Sequence, residues 1–368
     1  MPGKSPGALI GRGRESFWRS LRTMRSVIDK VVQNLDVPED FILEEARRAS
    51  LQNEDAHSRL LQQIPAFREI EQAPPERVRP CPETIRIAVF NAERLKDRPA
   101  ARRLMERACA DITLFSEVDL GMARSGNTHN LRDLIAGTGE GYLFGVEFVE
   151  LDLGDRGEMR EHAGARNACS LHGNAIVTDL VLETPHLIPL DESGLWFSGF
   201  KGAQRRIGGR MALAARVGGA PGPVWVVSTH LESKTDPADR QAQIRNLLRA
   251  LDVIAPGEPC VIGGDFNTKA LPRGEDERHL LLEAPERYEP LFTDLRAAGF
   301  AWAGANLARP TQTPGPKNKH EPPFGKLDWI VVRGLTVASP QIVPALDEQG
   351  RAISDHEMLV VDIAPNAS

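Results

Sequence analysis

Cysteine is scarce in this sequence. Cys81, Cys109, Cys169 and Cys260 are the only four in 368 residues, and they are scattered. That excludes a disulfide framework and a Cys-x-x-Cys metal site, and leads us to expect a reducing compartment, the cytoplasm. No apolar run approaches the ~20 residues that a membrane span needs. Met1 to Arg14 has glycines and basic residues but no apolar core, so a secretory signal is not expected. Excess positive charge is missing too. With 45 Lys+Arg against 51 Asp+Glu the net charge is −6. The balance argues against coating nucleic acid by bulk charge and leaves room for a local basic groove. No Ser in a Gly-x-Ser-x-Gly sequence follows a β-rich run, as a nucleophile elbow does, and there is no Walker loop, which weighs against a serine hydrolase and a P-loop nucleotidase. No internal repeat recurs at a fixed period.

What remains is ordinary globular composition, 41% hydrophobic and 26% charged. The length suits one large domain or two smaller ones. The charge is uneven. Residues 1–80 hold 13 basic and 12 acidic groups, so the rest of the chain carries a net −7. Phe17, Leu21, Met24, Ile28 and Val31 recur at helical steps, flanked by Arg14, Arg19, Arg22 and Arg25. A second helical stretch runs from about Pro38 to about Gln63. Pro65, Pro74, Pro75, Pro80 and Pro82 then mark a linker. The expected organisation is a helical extension with a Pro-rich linker over 1–80 and a separate body over 81–368. Residues 14–31 could give a weak membrane or partner contact, although packing onto the body is the plainer reading.

The body alternates. β-rich runs fall at 85–90, 112–115, 143–149, 174–178, 211–217, 224–229, 260–263, 327–332 and 358–363. Helical patterns fall at about 97–109, 127–137, 237–254 and 277–299. Many strands, few helices and no strict βα repeat suggest a layered α/β architecture of two sheets with helices outside. Asp152–His172 and Pro310–Gly325 read as long loops, of the kind that often cover a site.

Polar residues collect at the ends of these strands. Asn91 and Glu93 follow the first, and Glu117 and Asp119 the second. His230 and Glu232, then Asp265 and Asn267, follow two more. Asp328 opens a strand, and Asp355-His356 precedes the last. Oxygen donors without thiolates make a hard ligand set, suited to Mg²⁺ or Mn²⁺. Such a site points to metal-assisted phosphoryl chemistry, with an Asp-supported His to hold or stabilise the phosphoryl group. A single strand-end carboxylate is more often a turn former. The weight lies in the set and its order.

That order is Val89-Phe90-Asn91, Ser116-Glu117-Val118-Asp119, Gly173-Asn174-Ala175-Ile176, Ser228-Thr229-His230-Leu231, Gly263-Gly264-Asp265-Phe266-Asn267, Leu327-Asp328-Trp329-Ile330 and Ser354-Asp355-His356. It resembles the motif series of the endonuclease/exonuclease/phosphatase superfamily over about residues 84–364. This superfamily includes pancreatic-type deoxyribonucleases, AP endonucleases, neutral sphingomyelinases, inositol-polyphosphate 5-phosphatases and deadenylases. The resemblance implies a four-layer α/β sandwich, two packed mixed β-sheets flanked by helices, and Mg²⁺- or Mn²⁺-dependent cleavage of a phosphoester. It implies Asn91 and Glu117 as metal-site residues, with Glu93 and Asp355 beside them. It makes Asp265 the residue that orients or deprotonates water, Asn267 its phosphate-contacting partner, and Asp328 the support of His356. His230 stands where AP endonucleases carry a Tyr, which disfavours a dedicated abasic-site enzyme. Ser116 replaces the Gln that commonly precedes the metal Glu.

Arg124, Arg210 and Asn174 are candidate substrate contacts, and Lys317 and Lys319 would suit any anionic substrate. A phosphodiesterase or phosphatase is the expected activity. A DNA or RNA endonuclease, a sphingomyelinase-like lipid phosphodiesterase and a non-catalytic binding protein on the same fold are the alternatives.

Overall fold

The computed structural model describes residues 26–49, 54–190, 204–219, 222–317 and 320–366. In chain order the strands are β1 (Val31–Val32), β2 (Ile70–Ala73), β3 (Ile85–Arg94), β4 (Ile112–Leu120) and β5 (Gly141–Glu150). Next come β6 (Leu171–Thr178), β7 (Leu182–Pro189), β8 (Arg206–Gly208), β9 (Met211–Val217) and β10 (Trp225–His230). Last are β11 (Cys260–Asp265), β12 (Asp328–Arg333), β13 (Leu335–Val343) and β14 (Met358–Pro365). Among the described residues they form two mixed sheets. The larger runs β1-β2-β5-β6-β4-β3-β14-β13, with β8 paired to β5, and the smaller runs β12-β11-β10-β9-β7.

Alternation along the strands builds three apolar layers. Ile85, Ile87 and Val89 of β3 join Val226, Val261 and Ile330 of the other sheet in a core between the sheets. Their neighbours Ala88, Phe90 and Ala92 join Ala101, Leu104 and Met105 on the outer face. On the far side Trp225, Val227, Ile262 and Trp329 meet Ile244, Leu247 and Leu251. Helix, sheet, sheet, helix is the expected four-layer α/β sandwich.

The helices begin where capping chemistry allows. Asp97 accepts a bond from the Ala100 N–H at 2.9 Å and starts helix Arg98–Ala108, which Cys109 ends in a left-handed conformation. Asp236 accepts from Asp239 N–H at 2.9 Å and Pro237 opens helix Pro237–Ile254. The helix expected over 277–299 is broken into Leu280–Glu283, a 3₁₀ turn at Pro285–Arg287 and Leu291–Ala297. Pro285 and Pro290 prevent one continuous ladder.

The N-terminal region departs from expectation. Residues 1–25, which hold most of the first helical stripe and its arginines, lie outside the described residues. The end of the stripe is extended, not helical. Ile28 bridges Leu187, and Val31–Val32 pair in parallel with Ile70–Glu71. Adjacent β-branched residues prefer extended backbone, and the exposed edge of β2 offers them hydrogen bonds. The second stretch forms two helices, Asp40–Arg48 and Glu54–Gln63. Ile42, Leu43, Ala46 and Leu60 pack into the same outer core as Phe90 and Phe144. Sheet and core therefore run across the division drawn at residue 80. No helix among the described residues is long and apolar enough to cross a membrane.

Candidate active site

Parallel pairs β3–β4 and β10–β11 deliver their C-terminal ends to one rim, and β12 begins there because it runs antiparallel to β11. That is why Asn91, Glu117, His230, Asp265 and Asp328 meet. Glycine allows the meeting to be close. A Cβ on Gly263 would stand 2.4 Å from Val89 Cγ2 across the sheets, and one on Gly264 would stand 1.7 Å from the Thr229 carbonyl oxygen. The Ser228 hydroxyl donates to the Phe115 carbonyl at 2.9 Å and ties the sheets together behind the rim.

The rim is bulged. The β3–β4 register breaks between Asn91 and Arg94, and the β4–β6 register between Phe115 and Val118. Glu93, Arg94 and Leu95 have φ of 43°, 76° and 53°, and Glu117 and Asn267 have φ of 57° and 50°. Left-handed backbone costs non-glycine residues roughly 1–2 kcal/mol each. Such strain persists where side chains must be aimed.

At the centre, Asn91 Nδ2 donates to Glu117 Oε1 at 3.3 Å and to Asp265 Oδ2 at 3.1 Å. Asn91 Oδ1 accepts from the Glu93 N–H at 3.1 Å. Asp265 Oδ1 accepts from the Asn267 N–H at 2.8 Å, while Asn267 Nδ2 donates to the Leu231 carbonyl at 3.0 Å. His356 Nδ1 stands 2.8 Å from Asp328 Oδ2, and its Nε2 lies 3.7 Å from Asp265 Oδ2. Asp265, Asp328 and His356 are buried together with ligand atoms within 4.8 Å of one another. Burial raises the Asp265 carboxyl and the Asp328 charge adds to it, against the opposing pull of His356. Burial works against a charged His356 ring, yet Asp328 and Asp265 outweigh it and lift this imidazole to about 10.

Loop chemistry fixes this relay. Thr311 Oγ1 accepts from the N–H groups of Leu327 and Asp328, each at 3.0 Å. The Ser354 hydroxyl donates to the Asn91 carbonyl at 2.7 Å and accepts from the His356 N–H at 3.1 Å. Thr311 belongs to the expected loop Pro310–Gly325, which is thus pinned to the site at its start.

On the other side, His230 Nε2 lies 3.5 Å from Asp265 Oδ2 and its Nδ1 3.8 Å from Glu147 Oε2. Burial, then Arg210, push His230 well below the usual imidazole range, so it is neutral. Glu147 also holds Asn174 Nδ2 at 3.2 Å and Arg210 Nη1 at 3.0 Å. Burial raises Glu147 to about 7 despite that arginine. Asn174 Oδ1 is buried without a hydrogen-bond partner.

Two arginines are not where a substrate contact would be. Arg124 has a fully buried side chain, bidentate to Asp119 at 2.8 and 2.9 Å, with Glu150 and Glu158 each at 3.4 Å. Arg210 is 3% exposed, between Glu147 and Glu232. Three carboxylates surround the first and two the second, so both serve buried charge balance. Asp355 pairs with His320 at 2.9 Å, and its charge helps to raise His356. Lys317 pairs with Glu161, and Lys319 lies outside the described residues. Asp152–His172 is not one loop. It contains helix Arg156–Glu161, started by a capping box between Asp155 and Glu158, and its last two residues begin β6. Sequence reasoning missed Glu147, His172 and Arg94. A lone carboxylate inside the apolar run 143–149 was the available signal for Glu147.

The donor set can hold a divalent cation. Glu117 and Asp265 converge through one amide, Glu93 is buried beside it, and Asp328 Oδ1 is buried without a partner. Oxygen donors of this kind match Mg²⁺ or Mn²⁺.

Comparison with known proteins follows the same line. The sequence model of the Endonuclease/Exonuclease/phosphatase family matches residues 87–356. Among solved structures, the chain is similar to an endonuclease/exonuclease/phosphatase from Beutenbergia cavernae at 20% identity and a TM-score of 0.52. That match covers 77% of this chain and 72% of the other. An endonuclease/exonuclease/phosphatase from Bacteroides vulgatus matches at 17% identity and a TM-score of 0.50, over 77% and 99% of the two chains. A functionally unknown conserved protein from Enterococcus faecalis matches at 19% identity and a TM-score of 0.50, over 77% and 100%. No curated protein matches. The matched span runs from β3 to His356 and so takes in Asn91, Glu117, Asp265, Asp328 and His356 in order; the chain belongs to the endonuclease/exonuclease/phosphatase family, which includes metal-dependent phosphoesterases.

Proposed function

We propose that the chain is a divalent-metal-dependent phosphoesterase that hydrolyses a phosphodiester or phosphomonoester by in-line attack of water. The observation that carries this reading is the line Asp328–His356–Asp265–Asn91–Glu117, in which each member reaches the next at 2.8, 3.7, 3.1 and 3.3 Å. Asn91, Glu93 and Glu117 would hold Mg²⁺ or Mn²⁺, with Asp355 near them. Bound there, the cation supplies Lewis-acid stabilisation of negative charge on the phosphoryl group.

The chain's own groups do the rest. Asp265 and His356 act jointly as the acid/base pair that takes the proton of water. Asp328 fixes the ring by holding Nδ1, which leaves Nε2 toward Asp265. Neutral His230 can donate one ring N–H to a phosphoryl oxygen, supported by Glu147 behind it. Asn267 positions a phosphate oxygen, and Asn174 and Arg210 complete the polar wall behind His230. We assign Arg124 to the framework. The unit that carries the chemistry is 81–368, with residues 26–73 along its edge. Four unpaired cysteines suit a reducing compartment, and we infer the cytoplasm.

Hydrolysis of bis-p-nitrophenyl phosphate with Mg²⁺ or Mn²⁺, abolished by chelator, tests the reading. A panel of supercoiled DNA, RNA, sphingomyelin and inositol phosphates then divides the substrate classes. No turnover of any of them, with no metal binding by calorimetry, would favour a binding protein on an inherited fold.

A further inference from the structure

We propose that Arg94 is a resident counter-cation of the metal site, one that neutralises Glu117 in the metal-free protein and competes with the divalent cation for it. This rests on the metal-dependent reading above and goes on to say what sets the site's affinity.

Three observations converge on Arg94. First, its backbone is unusual. Glu93, Arg94 and Leu95 are three successive non-glycine residues with positive φ, placed where β3 loses register with β4. Such strain is kept only when the surroundings enforce it. Second, the guanidinium Nη1 is ion-paired with Glu117 Oε2, on the oxygen opposite the one that Asn91 holds. The pair is 15% and 19% exposed, so water screens it only in part. Third, Arg94 pairs most closely with Glu117, although its charge also lowers the Glu158 carboxyl. Its Nε is buried without a hydrogen bond, and its other acidic neighbour, Glu158, is 3.9 Å away. Glu158 is already taken by Lys96 at 2.9 Å, by the Asp155 N–H at 3.0 Å and by Arg124 at 3.4 Å.

The remaining carboxylates of the cluster are held differently. Asp265 accepts from the amides of Asn91 and Asn267, and Asp328 accepts from His356. Of Glu117, Asp265 and Asp328, Glu117 is the one ion-paired with an arginine. A divalent ion arriving at Glu117 meets that positive charge, so its binding is weakened by whatever separating the two costs. Removing the guanidinium removes the competitor and leaves a half-buried carboxylate short of a cation.

Calorimetric titration of the full chain with Mn²⁺ alone, in wild type, Arg94→Gln and Arg94→Lys, tests this. Arg94→Gln should bind Mn²⁺ about tenfold more tightly than wild type, and Arg94→Lys, which keeps the charge, much less so. In chelator Arg94→Gln should melt below wild type, and saturating Mn²⁺ should raise its melting temperature by more than it raises that of wild type. If Arg94→Gln folds only with Mn²⁺ present, the proposal stands. Equal or weaker Mn²⁺ binding by Arg94→Gln, with wild type binding normally, overturns it and leaves the functional reading intact. Absence of Mn²⁺ binding in all three proteins overturns both.

Discussion

Glu117 and Asp119 stand two residues apart on one strand, yet they belong to opposite kinds of buried cluster. Asp119 has a side chain with no exposure, gripped by both arms of Arg124 and by His172 Nδ1 at 2.8 Å. Burial alone would raise its carboxyl, but Arg124 and His172 hold it far below the usual carboxylate range. Glu117 lies at the rim, 19% exposed, with one amide and one arginine. Around Asp119 the charges of Arg124, Arg206 and Lys96 offset those of Asp119, Glu150 and Glu158. Around Glu117 and Asp265 the carboxylates outnumber the cations, and an Asp328 oxygen is left without a partner. A closed, compensated cluster fixes structure. An uncompensated one is poised to take a cation and a substrate. Sequence position does not separate them, because a single bulge turns the chain between the two.

Breaking the open cluster should have the largest effect, and on rate above all. Asp265→Asn and His356→Ala should each lower kcat/KM on a diester about 10⁴-fold or more, since residues that act as a unit lose nearly everything when one is removed. Circular dichroism should stay near wild type in both, while His356→Ala, which leaves Asp328 buried without its partner, should also melt lower. A variant within a few-fold of wild-type activity would remove the residue from the acid/base pair.

Breaking the closed cluster should instead cost stability. Arg124→Met leaves Asp119, Glu150 and Glu158 buried around an apolar side chain, which should destabilise the protein by about 3–5 kcal/mol in denaturant titration. A variant of normal stability that loses activity would show Arg124 to be a substrate contact after all.

The same cluster has a pH signature of defined sign. Burial holds His172 down to about 4 from 6.5, against the upward pull of Asp119. Between those values the unfolded chain binds a proton that the folded chain refuses. His172 therefore favours the fold fully above pH 6.5, and this contribution is lost as pH falls toward 4, at most about 3 kcal/mol in all. Glu147, raised to about 7, has the opposite slope between 4.5 and 7. Unfolding free energy measured from pH 7 to 4 should fall less steeply in His172→Gln than in wild type. An unchanged slope would show that the ring is not held neutral.

The open cluster was largely legible in the sequence because its residues are tied to strand ends, where chain order and apolar patterning locate them. Seven strands other than β3 and β4 were expected near their observed limits for the same reason. The closed cluster was not legible. Arg124 gains its partners from β5, from the helix at Arg156 and from β6, which only the tertiary fold brings together. β2 is short and carries Glu71 and Gln72, and β13 carries exposed polar residues over much of its length, so neither shows a buried apolar stripe. Glu71 is buried nonetheless. Its environment of His129, Tyr142 and Arg132 comes from distant segments, and the contacts of His129 and Tyr142 outweigh burial to bring it down to about 2.

An exposed pair gives the comparison its lower limit. Lys317 and Glu161 join the two segments that the sequence suggested as covers, with side chains 49% and 51% exposed. Water screens such a pair, and ordering two long side chains offsets much of the attraction, so it should contribute below about 1 kcal/mol. Lys317→Ala should leave the denaturation midpoint nearly unchanged, unlike Arg124→Met. It should leave kcat unchanged as well, unlike His356→Ala. A raised KM that relaxes with added salt would show Lys317 leaving Glu161 to meet an anionic substrate. A KM indifferent to both the substitution and salt would show that charge at this distance from Asp265 serves neither cluster, so that compensation must be buried to hold structure and uncompensated charge must be buried to do chemistry.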